Sequence, residues 1–222
     1  MIKAVIFDMY ETLITLYESP LYFGTQMAVD AGISEEEFQS LWKPREHERT
    51  VGKMTLEEIL EFILKEKQCY SDELFSKIVG KRKISKKECF KYLHPEILPM
   101  LNELKKKGIC IGLISNCFSE EVEAIKSSEL FPYFDVAYLS FEQGLQKPEK
   151  EIFIRCMDDL SVSADECIYV GDGGSLELEA ASQIGMKAVQ AVWYLKEGTI
   201  QPSRRKKDFI QAETPFDILK YI

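Results

Sequence analysis

Ala4-Val5-Ile6-Phe7-Asp8-Met9-Tyr10, followed by Glu11-Thr12-Leu13, is the stretch around which the rest of the chain is organised. Four apolar residues in a row, with a β-branched pair at their centre, read as a strand buried on both faces. The run stops at Asp8, which therefore stands at the carboxyl end of the strand, where open α/β sheets bind ligands. A carboxylate placed there costs too much desolvation to stand without a partner. A surface aspartate that merely ends a strand is the competing reading of this stretch alone.

Downstream, from Leu13 to about Cys89, the pattern is helical and contains no convincing strand. Ser34 with Glu37, and Thr55 with Glu58, have capping-box spacing. Leu56, Ile59, Leu60, Ile63 and Leu64 recur on one helical face. Pro44 is expected to break or kink the helix that carries Phe38 and Leu41. Residues 15–89 thus read as a small all-helical insertion between two parts of a core, residues 1–14 and 90–222.

From Pro95 the texture becomes an alternation. A helix is expected from Pro95 to Lys107, with Ile97, Leu98, Leu101 and Leu104 on one face and Gly108 as its stop. The strand Ile109-Cys110-Ile111-Gly112-Leu113-Ile114 follows and ends at Ser115-Asn116. Then come a helix over about 119–128, the strand 136–139, a helix begun by Pro148, and the strand 167–170 ending at Gly171-Asp172. A helix over about 176–184 and a strand from Ala188 to Trp193 complete the series. Such an order implies an α/β fold: a Rossmann-like parallel sheet with helices on both faces and right-handed crossovers. The tail from Lys196 onward reads as a loop and a short closing helix.

Bulk properties bound the function. The 222 residues are 45% hydrophobic and 29% charged, the composition of an ordinary globular protein. A net charge of −9 argues against nucleic acid or an anionic membrane surface as the main partner. The basic runs 81–83 and 204–207 read as solvated loops or helix ends. The six cysteines form no C-x-x-C pair, no signal peptide is visible, and no run approaches the roughly 18 apolar residues of a membrane span. The expectation is a reduced, cytoplasmic protein; its oligomeric state is not legible.

In a parallel sheet Asp8, Ser115-Asn116, Lys147 and Asp172 all lie at or beyond the carboxyl ends of strands, so they converge on one site. An aspartate, a hydroxyl, a lysine and further carboxylates suit nucleophilic attack on a phosphoryl group, with a divalent cation neutralising the anions.

These residues also resemble the motifs of the haloacid dehalogenase-like hydrolase superfamily. Asp8-Met9-Tyr10-Glu11-Thr12-Leu13 resembles the first motif, Leu113-Ile114-Ser115-Asn116 the second, and Gly144-Leu145-Gln146-Lys147-Pro148-Glu149 the third. Val170-Gly171-Asp172-Gly173-Gly174-Ser175-Leu176-Glu177 resembles the fourth. The resemblance implies that Asp8 is the nucleophile, that Ser115 and Lys147 hold the transferred group, and that Thr12 and Asn116 belong to the phosphate-binding set. It further implies that Asp8, Asp172 and the Tyr10 main-chain carbonyl bind Mg²⁺, with Glu177 reaching the metal from further out. Residues 15–89 match the helical cap that the superfamily inserts after its first motif.

Two features pull in different directions. Phosphatases of this superfamily carry a second Asp two residues after the nucleophile, as acid and base, whereas this chain has Tyr10, as the haloacid dehalogenases do. A phenol with a pKa near 10 is a poor base at pH 7. Asp172 and Glu177, by contrast, fit a metal-dependent phosphatase. The leading expectation is a magnesium-dependent phosphatase of a small phosphorylated metabolite. The rivals are a metal-independent 2-haloacid dehalogenase and a weakly active member that binds a ligand or partner.

Four other features carry plainer expectations. His47 and His94 read as ordinary. Arg45 and Arg49 either meet a substrate anion or lie on an exposed helix face. Phe38 and Trp42 read as core of the helical insertion. Cys117 is a candidate exposed thiol.

Overall fold

The computed structural model describes residues 1–196, 201 and 203–222. Six strands form one sheet: β1 (Ala4–Phe7), β2 (Cys110–Ser115), β3 (Val136–Leu139), β4 (Cys167–Gly171), β5 (Lys187–Ala191) and β6 (Ile210–Ala212). Their order is β3-β2-β1-β4-β5-β6, and every pairing is parallel. Ten α-helices accompany them among the described residues. The helices α1 (Gly24–Ala31), α2 (Glu35–Trp42), α3 (Glu46–Thr50), α4 (Leu56–Glu66) and α5 (Asp72–Glu88) lie between β1 and β2. The others are α6 (Ile97–Lys106), α7 (Ser119–Lys126), α8 (Ser140–Gln143), α9 (Lys150–Leu160) and α10 (Glu177–Gln183).

Why β1 is central follows from its side chains, all of which are fully buried. Val5 and Phe7 join Ile111, Leu113, Ile168, Val170 and Val189 in a cluster covered by α6 and α7. Ala4 and Ile6 point the other way, into a second cluster built with Ile114, Tyr169 and the inner faces of α9 and α10. This period-two division places apolar side chains on both faces of each inner strand. The chain builds outward from β1 in one direction through β2 and β3, and in the other from β4 to β6. The reversal lies between β1 and β4, the switch point where open α/β sheets form their ligand crevice. Asp8 follows β1 and Asp172 follows β4.

Helices α1, α2, α4 and α5 have a hydrophobic cluster of their own, with Met27, Phe38, Trp42, Leu56, Ile59, Leu60, Ile63 and Leu64 at its centre. Both expected capping boxes form: the Ser34 hydroxyl accepts from the Glu37 N–H and the Thr55 hydroxyl from the Glu58 N–H. Pro44 sits in a short 3-10 turn that separates α2 from α3, because its missing N–H and ring cannot continue the helix.

The structure corrects several readings. The tail holds β6, a three-residue strand paired with Val189–Ala191, too short to announce itself by periodicity; the closing helix is the 3-10 segment Pro215–Tyr221. Trp193 lies beyond β5 and donates its indole N–H to the Thr12 carbonyl at 2.8 Å. Pro148 does not start α9. It belongs to a turn closed by the Glu149 N–H on the Gln146 carbonyl at 2.8 Å, and the Lys147–Pro148 peptide is cis. Cys117 is buried, and burial pushes its thiol up to about 12, so it is not the exposed nucleophile that sequence suggested. All six cysteines are free. No helix among the described residues is long and apolar enough to cross a membrane.

Arg49 is also not on an exposed face. It is 2% exposed, with its guanidinium 3.7 Å from the Trp42 ring centroid and 4.3 Å from that of Phe118. Burial lowers its pKa to about 10, and its Nε has no hydrogen-bond partner. Attraction to two rings, worth about 0.5–2 kcal/mol, is thus offset by desolvation. Arg49→Met is expected to change stability by no more than about 1 kcal/mol, measured by urea unfolding. A loss several times larger would show that the charge, and not the stacked volume, holds this junction.

Candidate active site

At the end of β1 the Asp8 N–H donates to the Val170 carbonyl at 2.8 Å, so the sheet ladder holds the residue in place. Asp8 Oδ1 accepts from the Met9 N–H at 2.7 Å and lies 2.6 Å from Lys147 Nζ. Both contacts fall on one oxygen, and Oδ2 has no hydrogen-bond partner among the described residues. Lys147 is itself pinned to the end of β2. Its N–H donates to Asn116 Oδ1 at 2.8 Å, and Asn116 Nδ2 donates back to its carbonyl at 3.0 Å.

The loop after β4 is folded around Glu177. Glu177 Oε1 accepts from the Gly173 N–H at 2.6 Å and Oε2 from the Ser175 N–H at 2.7 Å. A Cβ at Gly171 would stand 2.8 Å from Glu177 Oε1, and Gly173 has φ +92°, so both positions call for glycine. The same turn presents Asp172, whose Oδ1 accepts from the Gly174 N–H at 3.1 Å and whose Oδ2 accepts from the Ser203 hydroxyl.

Asp8, Asp172 and Glu177 each offer an oxygen within 4.8 Å of the others, and all three are buried. Burial raises the Asp8 pKa, and Glu177 and Asp172 raise it further, against the pull of Lys147. Burial and then Glu177 likewise raise Asp172. One lysine does not offset three clustered carboxylates; a hard divalent cation, which takes oxygen ligands, would. The donor set therefore fits Mg²⁺.

Above these residues opens a cleft of about 710 Å³, lined among others by Asp8, Tyr10, Asn116, Lys147 and Asp172, and on its far side by Glu46, His47 and Thr50 of α3. The Tyr10 hydroxyl is buried without a hydrogen-bond partner. Burial, and then Glu121, push its phenol well above the usual value.

A family model described as haloacid dehalogenase-like hydrolase matches residues 2–185. The chain belongs to that family. Among relatives of this HAD-like hydrolase, the glyceraldehyde 3-phosphate phosphatase of Methanopyrus kandleri is 26% identical over 94% of this chain and 90% of that protein. The N-acylneuraminate-9-phosphatase of Rattus norvegicus is 31% identical over 49% of this chain, which spans only 43% of that protein. Solved structures share the fold. A HAD phosphatase from Thermococcus onnurineus superposes with a TM-score of 0.66 at 21% identity, covering 99% of this chain and 97% of that one. A 2-haloacid dehalogenase from Pseudomonas syringae does so with 0.67 at 21% identity and the same coverage.

Not every expected residue of this HAD-like hydrolase reaches the cleft. Ser115 and Thr12 are fully buried and absent from its lining; the Thr12 hydroxyl has no partner, while its carbonyl holds Trp193. Asn116 lines the cleft, but its amide is engaged with the Lys147 backbone. Glu177 is fully buried with both oxygens on backbone N–H groups.

Other residues at the site escaped the sequence reading. Ser203 reaches Asp172 from the tail, and Gln190 Nε2 ties the Asp172 and Arg204 carbonyls together at 2.9 and 2.8 Å. Behind the cleft, Lys86 Nζ lies 2.6 Å from Glu121 Oε1, and Arg82 Nε lies 2.9 Å from Glu120 Oε1. Burial raises the Glu121 pKa, but Lys86 and Arg82 more than offset this and hold it below the usual range. Buried charges of both signs on α5 and α7 were the available signal. Nothing in sequence pairs them.

Proposed function

We propose that this hydrolase is a magnesium-dependent phosphatase of a small phosphorylated metabolite, acting through an aspartyl-phosphate on Asp8. The observation that carries this reading is the cluster of Asp8, Asp172 and Glu177 within 4.8 Å at the switch point of the sheet. The named phosphatase relatives support it. Asp8 and Asp172, with the Tyr10 main-chain carbonyl, would hold the metal, which when bound supplies a positive charge for the phosphoryl oxygens.

Asp8 attacks phosphorus, the ester oxygen leaves and takes a proton from water, and the water-derived hydroxide then hydrolyses the acyl phosphate to return the free carboxylate and inorganic phosphate. Lys147 holds Asp8 before attack and takes up a phosphoryl oxygen as charge moves there. Asn116 fixes Lys147 through its backbone. Glu177 organises the loop that presents Asp172. Residues 15–89 act as a cap that closes the cleft from above and excludes water.

One observation favours a second reading. Tyr10, with its phenol far from ionisation at neutral pH, supplies no carboxylic acid to protonate a leaving oxygen, which suits 2-haloacid dehalogenation, where halide leaves without a proton. Hydrolysis of an aryl phosphate with and without Mg²⁺, beside chloride release from 2-chloropropionate, separates the two. Magnesium-dependent phosphate release is expected; chloride release that ignores EDTA would replace the phosphatase reading.

Metal binding supplies a finer check. Calorimetric titration with Mg²⁺ is expected to show one site that Asp172→Asn weakens by about 10–100-fold, an effect of the size seen when a metal's supporting groups are removed. Glu177→Gln should act differently, since an amide can serve only one of the two backbone N–H groups. It should lower stability and weaken the metal less than Asp172→Asn does. Binding unchanged by Asp172→Asn would refute the assignment.

A further inference from the structure

The phosphatase reading leaves the alcohol half of the substrate unspecified, and the charge distribution in the cleft constrains it. We infer that the cleft selects phosphate esters of uncharged, hydroxyl-bearing alcohols, and that Glu46 disfavours leaving groups carrying a carboxylate or second phosphate. This rests on the phosphatase reading.

The cleft has two ends of unlike character. Toward the sheet stand Lys147, Asp8 and Asp172, where the phosphoryl group is handled. Toward α3 stand Glu46, His47 and Thr50, and Tyr17 also lines the cleft. Among the described residues lining the cleft, Lys147 is the one lysine or arginine, and it is bound to Asp8 at 2.6 Å. Four cations of the surrounding elements are engaged elsewhere. Lys86 is paired with Glu121 and Arg82 with Glu120. Arg49 is enclosed between the Trp42 and Phe118 rings. Arg45 donates to the Leu41 carbonyl at 3.0 Å and stacks on Phe62.

Of the glutamates lining the cleft, Glu121 is buried and paired with Lys86, and Glu11 is hydrogen-bonded within its own loop. Glu46 is exposed and makes no salt bridge among the described residues. An anionic leaving group would thus meet a carboxylate that makes no salt bridge among the described residues, with no lysine or arginine lining that end of the cleft. Like charges placed together are a device for rejecting the wrong partner. A hydroxylated one meets suitable partners: the Tyr17 phenol, the His47 imidazole, and the Thr50 hydroxyl, which donates to the Glu46 carbonyl at 2.9 Å and can still accept.

The test uses a matched pair differing by one group: glycerol 3-phosphate, and 3-phosphoglycerate, in which a carboxylate replaces the terminal CH₂OH. Each is measured as a competitive inhibitor of aryl phosphate hydrolysis by the full chain with Mg²⁺, so neither needs to be turned over. The inhibition constant is expected to be about five- to ten-fold weaker for the carboxylate, the size of a like-charge contact several ångströms apart in a wet cleft. The ratio should shrink as salt is raised, because screening acts on charge and not on shape. Glu46→Lys should invert the preference and Glu46→Gln should bring the ratio toward one; each ratio is taken within one variant, so altered turnover cancels. A carboxylate that binds as well as or better than the alcohol in the parent overturns the inference, and so does a ratio that Glu46→Lys leaves unchanged. A parent that hydrolyses no aryl phosphate overturns the phosphatase reading itself, which is a distinguishable failure.

Discussion

Asp8→Asn is expected to lower phosphate-ester hydrolysis by on the order of 10⁴–10⁶-fold, the scale of losing a catalytic nucleophile, while the fold persists. The amide has nearly the shape of the carboxylate but cannot form the acyl phosphate. Two effects on stability oppose each other. The substitution removes a buried charge whose pKa is raised by burial and by Glu177 and Asp172, which favours the folded state. It also strips Lys147, 1% exposed at its side chain, of the carboxylate 2.6 Å away, which costs stability because a buried charge is left unpaired. Their near cancellation predicts a melting temperature within a few degrees of the parent, read by circular dichroism. In the parent, beryllium fluoride should add to Asp8 in a magnesium-dependent way, and the variant should form no adduct. Substantial activity in Asp8→Asn, in a preparation free of host phosphatases, would rule out the covalent route.

The parts of the fold legible in sequence were those written in continuous runs. The inner strands β1, β2 and β4 are buried on both faces, so each appears as an unbroken apolar stretch with its polar site residue directly after it. That is why Asp8 and Asp172 could be placed at one sheet edge from order alone. Lys147 was readable through its motif, but its anchoring by Asn116 was not, since a reciprocal side-chain to backbone pair leaves no periodic trace. β6 contains one strong strand former, Ile210, and owes its existence to the open edge of β5. Ser203 reaches Asp172 from a segment with no pattern at all. Arg49 was misread because α3, Glu46-His47-Glu48-Arg49-Thr50, looks polar on every side, and only the approach of Trp42 and Phe118 encloses the guanidinium. Thr12 and Ser115 were assigned to the ligand, yet both are fully buried beneath the loop that carries Asp8 and at the end of β2.

Tyr10→Asp is expected to hydrolyse phosphate esters about 10²–10⁴-fold faster than Tyr10→Asn, the usual worth of a positioned acid–base group. The two variants lose the same aromatic volume and leave similar cavities, so the comparison isolates the carboxyl. In the parent the phenol cannot fill this role. Its hydroxyl is buried without a partner and is pushed well above its usual pKa by burial, then by Glu121. Glu11 is a poor substitute although burial raises it to about 7. Its Oε1 accepts from the Leu16 N–H, and its Oε2 from the Thr15 hydroxyl and Gln201 Nε2, so it braces the loop. The surroundings of Tyr10 also set which half-reaction gains more. Burial and Glu121, which push the Tyr10 phenol up, would raise a carboxyl in its place as well, while Lys86 Nζ, 5.5 Å from the Tyr10 ring centroid, is already paired with Glu121. A protonated carboxyl is a better acid for the leaving oxygen than a base for water. Formation of the aspartyl-phosphate should therefore accelerate more than its breakdown, and phosphorylated Asp8, trapped by acid quench, should occupy a larger fraction of Tyr10→Asp than of Tyr10→Asn. Equal turnover in the two variants would sink the argument from the missing acid. Chloride release by the parent, lost in both, would instead make Tyr10 a dehalogenase residue, because then the phenol itself, and not the absence of a carboxyl, would be what the chemistry requires.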